Sequence, residues 1–244
     1  MTNKIYNEDC LIGMKRIADN SVDMILCDLP YGTTRNKWDS IIPLVLLWEQ
    51  YGRVIKDSGA IVLTAQTPFD KVLGVSCLEL LKYEWIWVKQ QGTGFLNSKK
   101  MPLKATENIL VFYKKPPTYN PQMRTGFKKY KCKSGVGSSN YGEQKQVETI
   151  SNGERYPLNW IEVEYDKKKL HPTQKPVALF EYLIKTYTNE GEIVLDNCMG
   201  SGTTAIACIN TNRKYIGFEM DKGYYDIILK RIEDKQKLQL GDEL

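Results

Sequence analysis

The sequence predicts an α/β fold in which a mostly parallel, seven-stranded sheet carries helices on both faces. Three observations indicate this fold class. Segments of strand length alternate with longer segments whose apolar residues recur at helical spacing. The strand segments are apolar at consecutive positions, as expected for strands that are covered on both sides. The chain has 244 residues, of which 42% are apolar, and this length suits one large domain with an insertion.

The first part of the chain contains five of the predicted strands and three helices. Asp9 is a suitable cap for the first helix, which carries apolar residues up to Ile17. Pro68 stands at a first-turn position of the third helix. We expect the fourth and fifth strands to pair as neighbours. The predicted strands are 4–6, 22–27, 60–64, 84–89 and 108–113, and the second and third helices are 43–56 and 68–81.

The alternation stops at Lys114 and resumes after Lys175. Turn residues, basic residues and scattered aromatic residues fill the segment between them. We therefore divide the chain into residues 1–113, an inserted region at 114–170, and residues 171–244. In the last part, strands are predicted at 193–196 and 214–219, and helices at 177–187, 203–210 and 224–238.

Composition excludes several classes of protein. No apolar run approaches the roughly 20 residues of a membrane span, and the first residues lack the apolar stretch of a signal peptide. The six cysteines are scattered without a C-x-x-C pair, which favours reduced thiols. His171 is the only histidine, so a multi-histidine metal site is excluded. We expect a soluble, cytoplasmic protein with no metal and no membrane partner.

A glycine-rich turn, Asp-Asn-Cys-Met-Gly-Ser-Gly-Thr-Thr at 196–204, lies between a predicted strand and a helix. Gly200 and Gly202 permit a tight turn and close approach of a ligand, and the helix start offers free N–H groups. The next strand ends in Glu219, where a carboxylate can accept both hydroxyls of a ribose. The unit predicts a nucleoside pocket. No second β-α-β half of a dinucleotide-binding fold follows this unit. S-adenosylmethionine (SAM) is therefore a candidate ligand beside a dinucleotide.

A second motif, Asp28-Leu29-Pro30-Tyr31, follows the strand 22–27, at the strand end where open α/β sheets bind ligands. Asp28 can accept a hydrogen bond from an exocyclic amino group. Pro30 lacks an N–H and stiffens the turn, and Tyr31 can stack on a ring. These properties suit a base that has left the double helix, although the same residues are also good turn formers.

Together these motifs resemble those of SAM-dependent DNA amino-methyltransferases, specifically the circularly permuted beta group. The tetrapeptide is similar to D/N/S-P-P-Y, and the glycine-rich turn is similar to D-P-F-x-G-S-G-T-T. Residues 171–176, His-Pro-Thr-Gln-Lys-Pro, match the H-x-T-x-K-P of that group, and Glu8-Asp9-Cys10 corresponds to its G-D-C element. The motifs also occur in the order of the beta group, and the likeness spans most of the chain outside 114–165.

The resemblance implies a Rossmann-like methyltransferase fold, circularly permuted, with an inserted target-recognition region. It implies direct methyl transfer from SAM to an exocyclic amino nitrogen, with Asp28, Leu29, Pro30 and Tyr31 at the target base. An aspartate at the first position favours adenine N6, and cytosine N4 stays open. The implied cofactor-binding residues are Asp9, Cys10, Asp28, His171, Thr173, Lys175, Asp196, Asn197, Cys198, Met199, Gly200, Ser201, Gly202, Thr203, Thr204 and Glu219.

The chain departs from the pattern of the group at two places. Leu29 replaces the first proline, which loosens the turn slightly. Asn197-Cys198 replaces Pro-Phe, so we expect the apolar cover over the cofactor to be thinner or to come from elsewhere in the chain. We do not assign Cys198 as a nucleophile, because methylation of an amino group needs no covalent enzyme–base adduct.

The basic excess lies in one stretch. Residues 114–145 hold eight lysines and arginines against one glutamate, a net charge of +7, whereas the whole chain has +5. Aromatic residues interleave with these cations, a profile typical of phosphate and base contacts. A solvated lysine-rich loop is the alternative. The candidate DNA-binding residues are Arg124, Lys128, Lys129, Tyr130, Lys131 and Lys133.

These observations predict double-stranded DNA as the partner and leave a homodimer and a cognate restriction nuclease open. An RNA amino-methyltransferase is a competing interpretation. The basic stretch argues against a protein substrate, because a glutamine side chain needs no cationic arm. A DNA-binding regulator that has lost catalysis, or more distantly a dehydrogenase, would be distinguished by its binding of SAM or NAD.

Overall fold

The computed structural model describes residues 2–32, 39–133, 147–167, 170–171 and 173–241, with side chains through residue 238. The chain divides into two compact units. The large unit consists of Met1–Asn120 and Asn159–Leu244, and the small unit consists of Pro121–Leu158. Within the described ranges, no helix combines the length and apolarity that crossing a membrane requires.

The described residues form ten strands and six α-helices. The strands are β1 (Lys4–Tyr6), β2 (Val22–Asp28), β3 (Ile55–Ala65), β4 (Leu81–Thr93), β5 (Lys104–Phe112), β6 (Tyr130–Lys133), β7 (Glu148–Ser151), β8 (Trp160–Glu162), β9 (Ile193–Asp196) and β10 (Lys214–Phe218). The helices are α1 (Cys10–Gly13), α2 (Leu44–Val54), α3 (Phe69–Ser76), α4 (Val177–Tyr187), α5 (Thr203–Asn210) and α6 (Lys222–Gly241).

Eight strands of the large unit form one sheet in the order β1-β10-β9-β2-β3-β5-β4-β8. Five of the seven neighbouring pairs are parallel, and β5 runs antiparallel to both β3 and β4. The predicted fold class and the pairing of β4 with β5 are confirmed. The predicted count of seven strands is wrong by one, because β8 returns to the sheet from a region predicted to be irregular. That strand has only three residues, too few for a periodic signal.

The alternation of side chains along β2 shows why four consecutive positions, Met24 to Cys27, are apolar. Met24 and Leu26 belong to a core cluster on one face of the sheet, which includes residues of α4 and α5. Ile25 and Cys27 belong to a cluster on the other face, with residues of α1, α2 and α3. Consecutive residues of a strand point to opposite faces, so these four positions are buried on both faces of the sheet, whereas Asp23 and Asp28 are partly exposed.

Several element ends differ from the prediction. Helix α3 ends at Ser76, not near residue 81, because Cys77 leaves the helical region with φ −149° and ψ 57°. Strand β3 begins early, at Ile55, where it pairs with Val22. Helix α6 extends two residues before and three residues beyond its predicted ends.

The small unit is built around an antiparallel pair of strands, β6 and β7. Arg124 and Arg155 extend this pair by an isolated bridge. The guanidinium of Arg155 donates to the carbonyl of Lys128 at 2.9 Å. It also lies over the rings of Phe127, at 5.3 Å, and Tyr130, at 4.4 Å. Cation–π contacts of this kind stabilise an exposed site by about 0.5–1 kcal/mol each.

Candidate functional site

A cavity of about 760 Å³ opens at the carboxyl ends of β2, β4 and β9. This volume lies in the range of small-molecule sites, and the strand ends are where open α/β sheets bind ligands. All four residues of the tetrapeptide line the cavity. So do all the predicted cofactor-binding residues except Gly202 and Thr204. The structure therefore brings the two sequence motifs to one site.

Asp196, the last residue of β9, holds the glycine-rich turn by hydrogen bonds. One oxygen of its carboxylate accepts from the backbone N–H of Cys198 at 3.0 Å, and the other accepts from the hydroxyl of Thr204. Thr204 thus supports the turn from behind the cavity. Burial raises the pKa of Asp196 to about 6, against the lowering effect of these donors.

The two glycines of the turn have different constraints. Both have positive φ, +53° at Gly200 and +82° at Gly202. A Cβ at Gly202 would lie 2.7 Å from Ile228 of α6, so this glycine allows α5 and α6 to pack. Among the described residues, a Cβ at Gly200 would meet only His171 within 4 Å, at 3.9 Å. Gly200 lines the cavity, so the missing side chain leaves room for a ligand.

Two carboxylates that line the cavity accept hydrogen bonds from backbone N–H groups. Glu219 accepts from the N–H of Gly200 at 2.8 Å and from that of Asp221 at 2.9 Å. Burial raises the pKa of Glu219. Asp9 caps α1, accepting from the N–H of Leu11 at 2.8 Å, which confirms the predicted cap.

The residues that depart from the family pattern form a polar floor. The hydroxyl of Tyr51 donates to the side-chain carbonyl of Asn197 at 2.5 Å. The amide nitrogen of Asn197 lies 3.6 Å from the sulfur of Cys10 and 3.4 Å from that of Cys198. A hydrogen-bonded asparagine therefore stands where the pattern has proline.

Four residues of the hexapeptide at 171–176 line the cavity, and Pro172 lies outside the described residues; the four are His171, Thr173, Gln174 and Lys175. The ring of His171 packs against that of Tyr224, with centroids 4.3 Å apart. The N–H of Thr173 donates to Nδ1 of His171 at 3.2 Å. Burial lowers the pKa of His171, so the imidazole is neutral at pH 7. A neutral ring beside the cavity does not repel a cationic ligand.

Asp28 lies at the end of β2 with both carboxylate oxygens in contact with donors. Oδ2 is 2.7 Å from the ammonium of Lys175. Oδ1 accepts from the hydroxyl of Tyr31 at 2.7 Å and from that of Thr64. The ring of Tyr31 stacks on Phe69, with centroids 5.4 Å apart and planes at 25°. Asp28 and Tyr31 of the tetrapeptide therefore have hydrogen-bond, ion-pair and stacking partners within the protein.

Sequence reasoning missed a buried carboxylate next to Asp28. Oε1 of Glu107 is 2.9 Å from the ammonium of Lys175, and Oε2 is 2.7 Å from that of Lys89. Gln66 donates to Oε2 at 3.0 Å. Glu107, Lys89 and Lys175 are only 3%, 5% and 6% exposed. Burial alone would raise the pKa of Glu107, but the two lysines outweigh it and lower that pKa to about 2.

The same contacts act on the lysine. Burial alone would lower the pKa of Lys175, but Asp28 and Glu107 raise it above its ordinary value. Lys175 is therefore a buried ammonium shared by two carboxylates. We name the set Asp28, Glu107, Lys89 and Lys175 the charge cluster.

A sequence signal for the missed residues does exist. Trp85, Trp87 and Lys89 alternate along β4, and all three side chains are buried. Glu107 and Ile109 alternate along β5 in the same way, and Glu107 stands opposite Trp87 in the register. A charged residue at an inward position of a buried strand is rare unless it is paired. One lysine and one glutamate at such positions on adjacent strands predict an ion pair.

The predicted DNA-binding residues all belong to the small unit. Arg124 is half-buried and donates to the carbonyl of Tyr156 at 3.2 Å. Lys131 pairs with Glu148 at 3.0 Å. Tyr130 lies under the guanidinium of Arg155. Residues 134–146, part of the basic stretch, lie outside the described residues. The remaining predicted side chains are exposed, and they are those of Lys128, Lys129 and Lys133.

Comparisons with known proteins show which family this chain resembles. A family model described as DNA methylase matches residues 22–230, a span that contains both motifs. Type II methyltransferase M.BglII of Bacillus subtilis is 30% identical over 92% of this chain and 67% of its own length. DNA adenine methyltransferase YhdJ of Escherichia coli K12 is 29% identical over 94% of this chain and 82% of its own. The crystal structure of the M1.HpyAVI–SAM complex superposes with a TM-score of 0.65 at 27% identity, covering 93% and 98% of the two chains.

Proposed function

The chain belongs to the DNA methylase family, and we propose that it transfers a methyl group from SAM to the N6 amino group of adenine in double-stranded DNA. One observation carries the proposal. The carboxylate of Asp28 and the glycine-rich turn line the same cavity, so a target amino group and a nucleoside cofactor can meet there. Holding two reactants in one site in this way supplies much of the rate of a transfer reaction.

The residues present fit SAM. Gly200 leaves space beside the turn, and Glu219 offers carboxylate oxygens at the position suited to ribose hydroxyls. Asp9, Asp196 and Glu219 give this part of the cavity the negative character that suits a cation, and His171 adds no positive charge. When bound, SAM supplies an electrophilic methyl group on a positively charged sulfur.

Asp28 has the central role in the transfer. The lone pair of an exocyclic amino group is delocalised into the ring, which makes the nitrogen a weak nucleophile. A hydrogen bond from the amino group to Asp28 favours a pyramidal nitrogen and stabilises the positive charge that develops there. Pro30 keeps the adjacent turn stiff because its φ is fixed. No covalent bond between the protein and the base is needed.

Two features support adenine as the target. The tetrapeptide begins with aspartate, and an aspartate at this position favours adenine in the beta group that the chain resembles. The relative from Escherichia coli, 29% identical, carries the name DNA adenine methyltransferase. A base inside the duplex cannot reach the cavity, so we propose that it flips out of the helix, while exposed lysines of the small unit contact phosphates.

The test is to express the protein in cells that lack DNA methylation and to read modified bases and their sequence context. We expect N6-methyladenine in one context for the wild-type protein and none for Asp28→Ala, a loss of roughly 1,000-fold or more. SAM affinity of Asp28→Ala, measured by calorimetry, should stay within about threefold of wild type.

Asp57→Ala is the matched control, because Asp57 is exposed and pairs only with Lys114 and Lys115 among the described residues. We expect it to methylate as wild type does. N4-methylcytosine in place of N6-methyladenine would transfer the proposal to the other amino base. SAM binding without methylation of any DNA would contradict the proposal and favour a regulator.

A further inference from the structure

The carboxylate proposed to receive the amino group already accepts from one charged donor and two hydroxyls. Lys175 places its ammonium 2.7 Å from Oδ2 of Asp28, where it neutralises the charge of that carboxylate. An amino group arriving at Oδ2 is a neutral donor and competes with a charged one. Charge-assisted hydrogen bonds are roughly twice as strong as neutral ones. A shift of Lys175 away from Asp28 would therefore strengthen the hydrogen bond from the amino group to Oδ2, provided that Lys175 has a second partner.

Glu107 provides that second place. Its Oε1 is 2.9 Å from the same ammonium, so Lys175 already bridges the two carboxylates. Lys89, at 2.7 Å from Oε2, holds Glu107 in position from the other side. A small rotation of the ammonium toward Glu107 would free Oδ2 of Asp28 while keeping Lys175 paired. A buried ammonium with no partner would be strongly unfavourable.

We propose that Glu107 is a positioning residue that takes Lys175 from Asp28 when the target amino group arrives. The inference rests on the proposed transfer to an exocyclic amino group and adds a residue that acts through Lys175. The charge cluster contains two carboxylates and two ammoniums, so it stays neutral throughout the exchange. Once Lys175 has moved, the charge of Asp28 is directed to the nitrogen on which positive charge develops.

The experiment compares two substitutions of Glu107 that separate charge from shape. Glu107→Gln keeps the shape and removes the charge, whereas Glu107→Asp keeps the charge and shortens the side chain. We expect kcat to fall roughly 10- to 100-fold in Glu107→Gln and clearly less in Glu107→Asp. The affinity for SAM should change by less than about threefold in both. A residue that only fills space would give the reverse order.

Glu162→Gln is the control for the same chemical change. Glu162 is an exposed glutamate on β8, at the edge of the same sheet. We expect its kcat to equal that of wild type. Thermal unfolding of each variant, monitored by circular dichroism, establishes that the compared proteins are folded.

A double-mutant cycle with Lys175→Met tests the route by which Glu107 acts. If it acts through Lys175, adding Glu107→Gln to Lys175→Met should lower the single-turnover rate by less than about threefold. The double variant also removes one charge of each sign, so this comparison remains available if Glu107→Gln alone does not fold.

Three results would overturn the inference: wild-type kcat in folded Glu107→Gln, a Glu107→Gln that is more active than Glu107→Asp, or an undiminished loss in the Lys175→Met background. A wild-type protein that methylates no DNA would instead contradict the proposed function. The two failures are therefore distinguishable.

Discussion

The two ends of the cavity hold their carboxylates in opposite ways. At the proposed cofactor end, Asp196 and Glu219 are bound by backbone N–H groups and a hydroxyl. At the base end, Asp28 and Glu107 are bound by buried ammoniums. Neutral donors do not compensate fully for burial, and the pKa of Asp196 rises to about 6. Charged donors overcompensate, and the pKa of Glu107 falls to about 2.

The difference teaches how each end is specified. The glycine-rich turn is held locally, since Asp196 contacts residues two and eight positions away. The charge cluster is assembled from distant parts of the chain, since Lys175 lies 147 positions from Asp28. The support of the turn therefore depends on one segment of the sequence, whereas the charge cluster depends on the packing of several strands.

The largest expected difference between the two ends is in the pH dependence of stability. Folded Asp196 keeps its proton up to about pH 6, whereas the unfolded chain loses it near 3.8. Asp196 therefore lowers the free energy of unfolding as the pH rises through this window. Glu107 behaves in the opposite sense. The stability that it contributes is complete above about 4.5 and is lost as the pH falls toward 2.

Asp196→Asn should remove the loss between pH 4 and 6, and Glu107→Gln should remove the gain between pH 2 and 4.5. One pKa unit corresponds to about 1.4 kcal/mol, so the free energy of unfolding changes by a few kcal/mol across each of these pH ranges. Denaturant unfolding at a series of pH values measures both slopes. Glu162→Gln serves as the exposed control. If the free energies of unfolding of Asp196→Asn and wild type changed in parallel between pH 4 and 6, the proposed difference between the two ends would be contradicted.

The next effect separates binding from catalysis. Glu219→Ala removes a carboxylate proposed to accept ribose hydroxyls, and hydrogen bonds to charged groups contribute about 1.5–3 kcal/mol. We expect SAM affinity to fall roughly 10- to 100-fold, with kcat at saturating SAM nearly unchanged. Calorimetry and steady-state kinetics measure the two quantities.

Glu192→Ala is the matched control for Glu219→Ala. Glu192 also accepts a backbone N–H, that of Asn189 at 2.7 Å, but it lies just before the amino end of β9 and does not line the cavity. Its SAM affinity should equal that of wild type. A loss of kcat without a loss of affinity in Glu219→Ala would place this residue at the wrong end of the cavity.

The smallest expected effect concerns the small unit. Replacing Lys128 and Lys129 with alanine should reduce the salt dependence of DNA binding by about 2 units of slope, as for two lost phosphate contacts. DNA titrations at several salt concentrations measure the slope. The control replaces Lys4 and Lys214, exposed lysines at the amino ends of β1 and β10. Equal slopes in both double variants would favour a solvated lysine-rich loop.

Sequence alone predicts the cofactor end better than the base end, for a physical reason. The turn from Asp196 to Thr204 needs glycines and hydroxyls at fixed spacing, and α5 and β9 have their predicted bounds. The charge cluster has no such spacing, because its partners meet only through the order of strands in the sheet. Lys89 and Glu107 resemble surface residues until β4 and β5 are known to be covered.

The position of β9 has a consequence for synthesis of the protein. This strand lies between β10 and β2, and β1 pairs with β10 in the sheet. A growing chain that has passed β5 therefore still has an unpaired edge on β2 and no partner for β1. The sheet is complete only after β10 has left the ribosome. The nascent chain therefore cannot bind its cofactor early, and its folding depends on long-range contacts that form late.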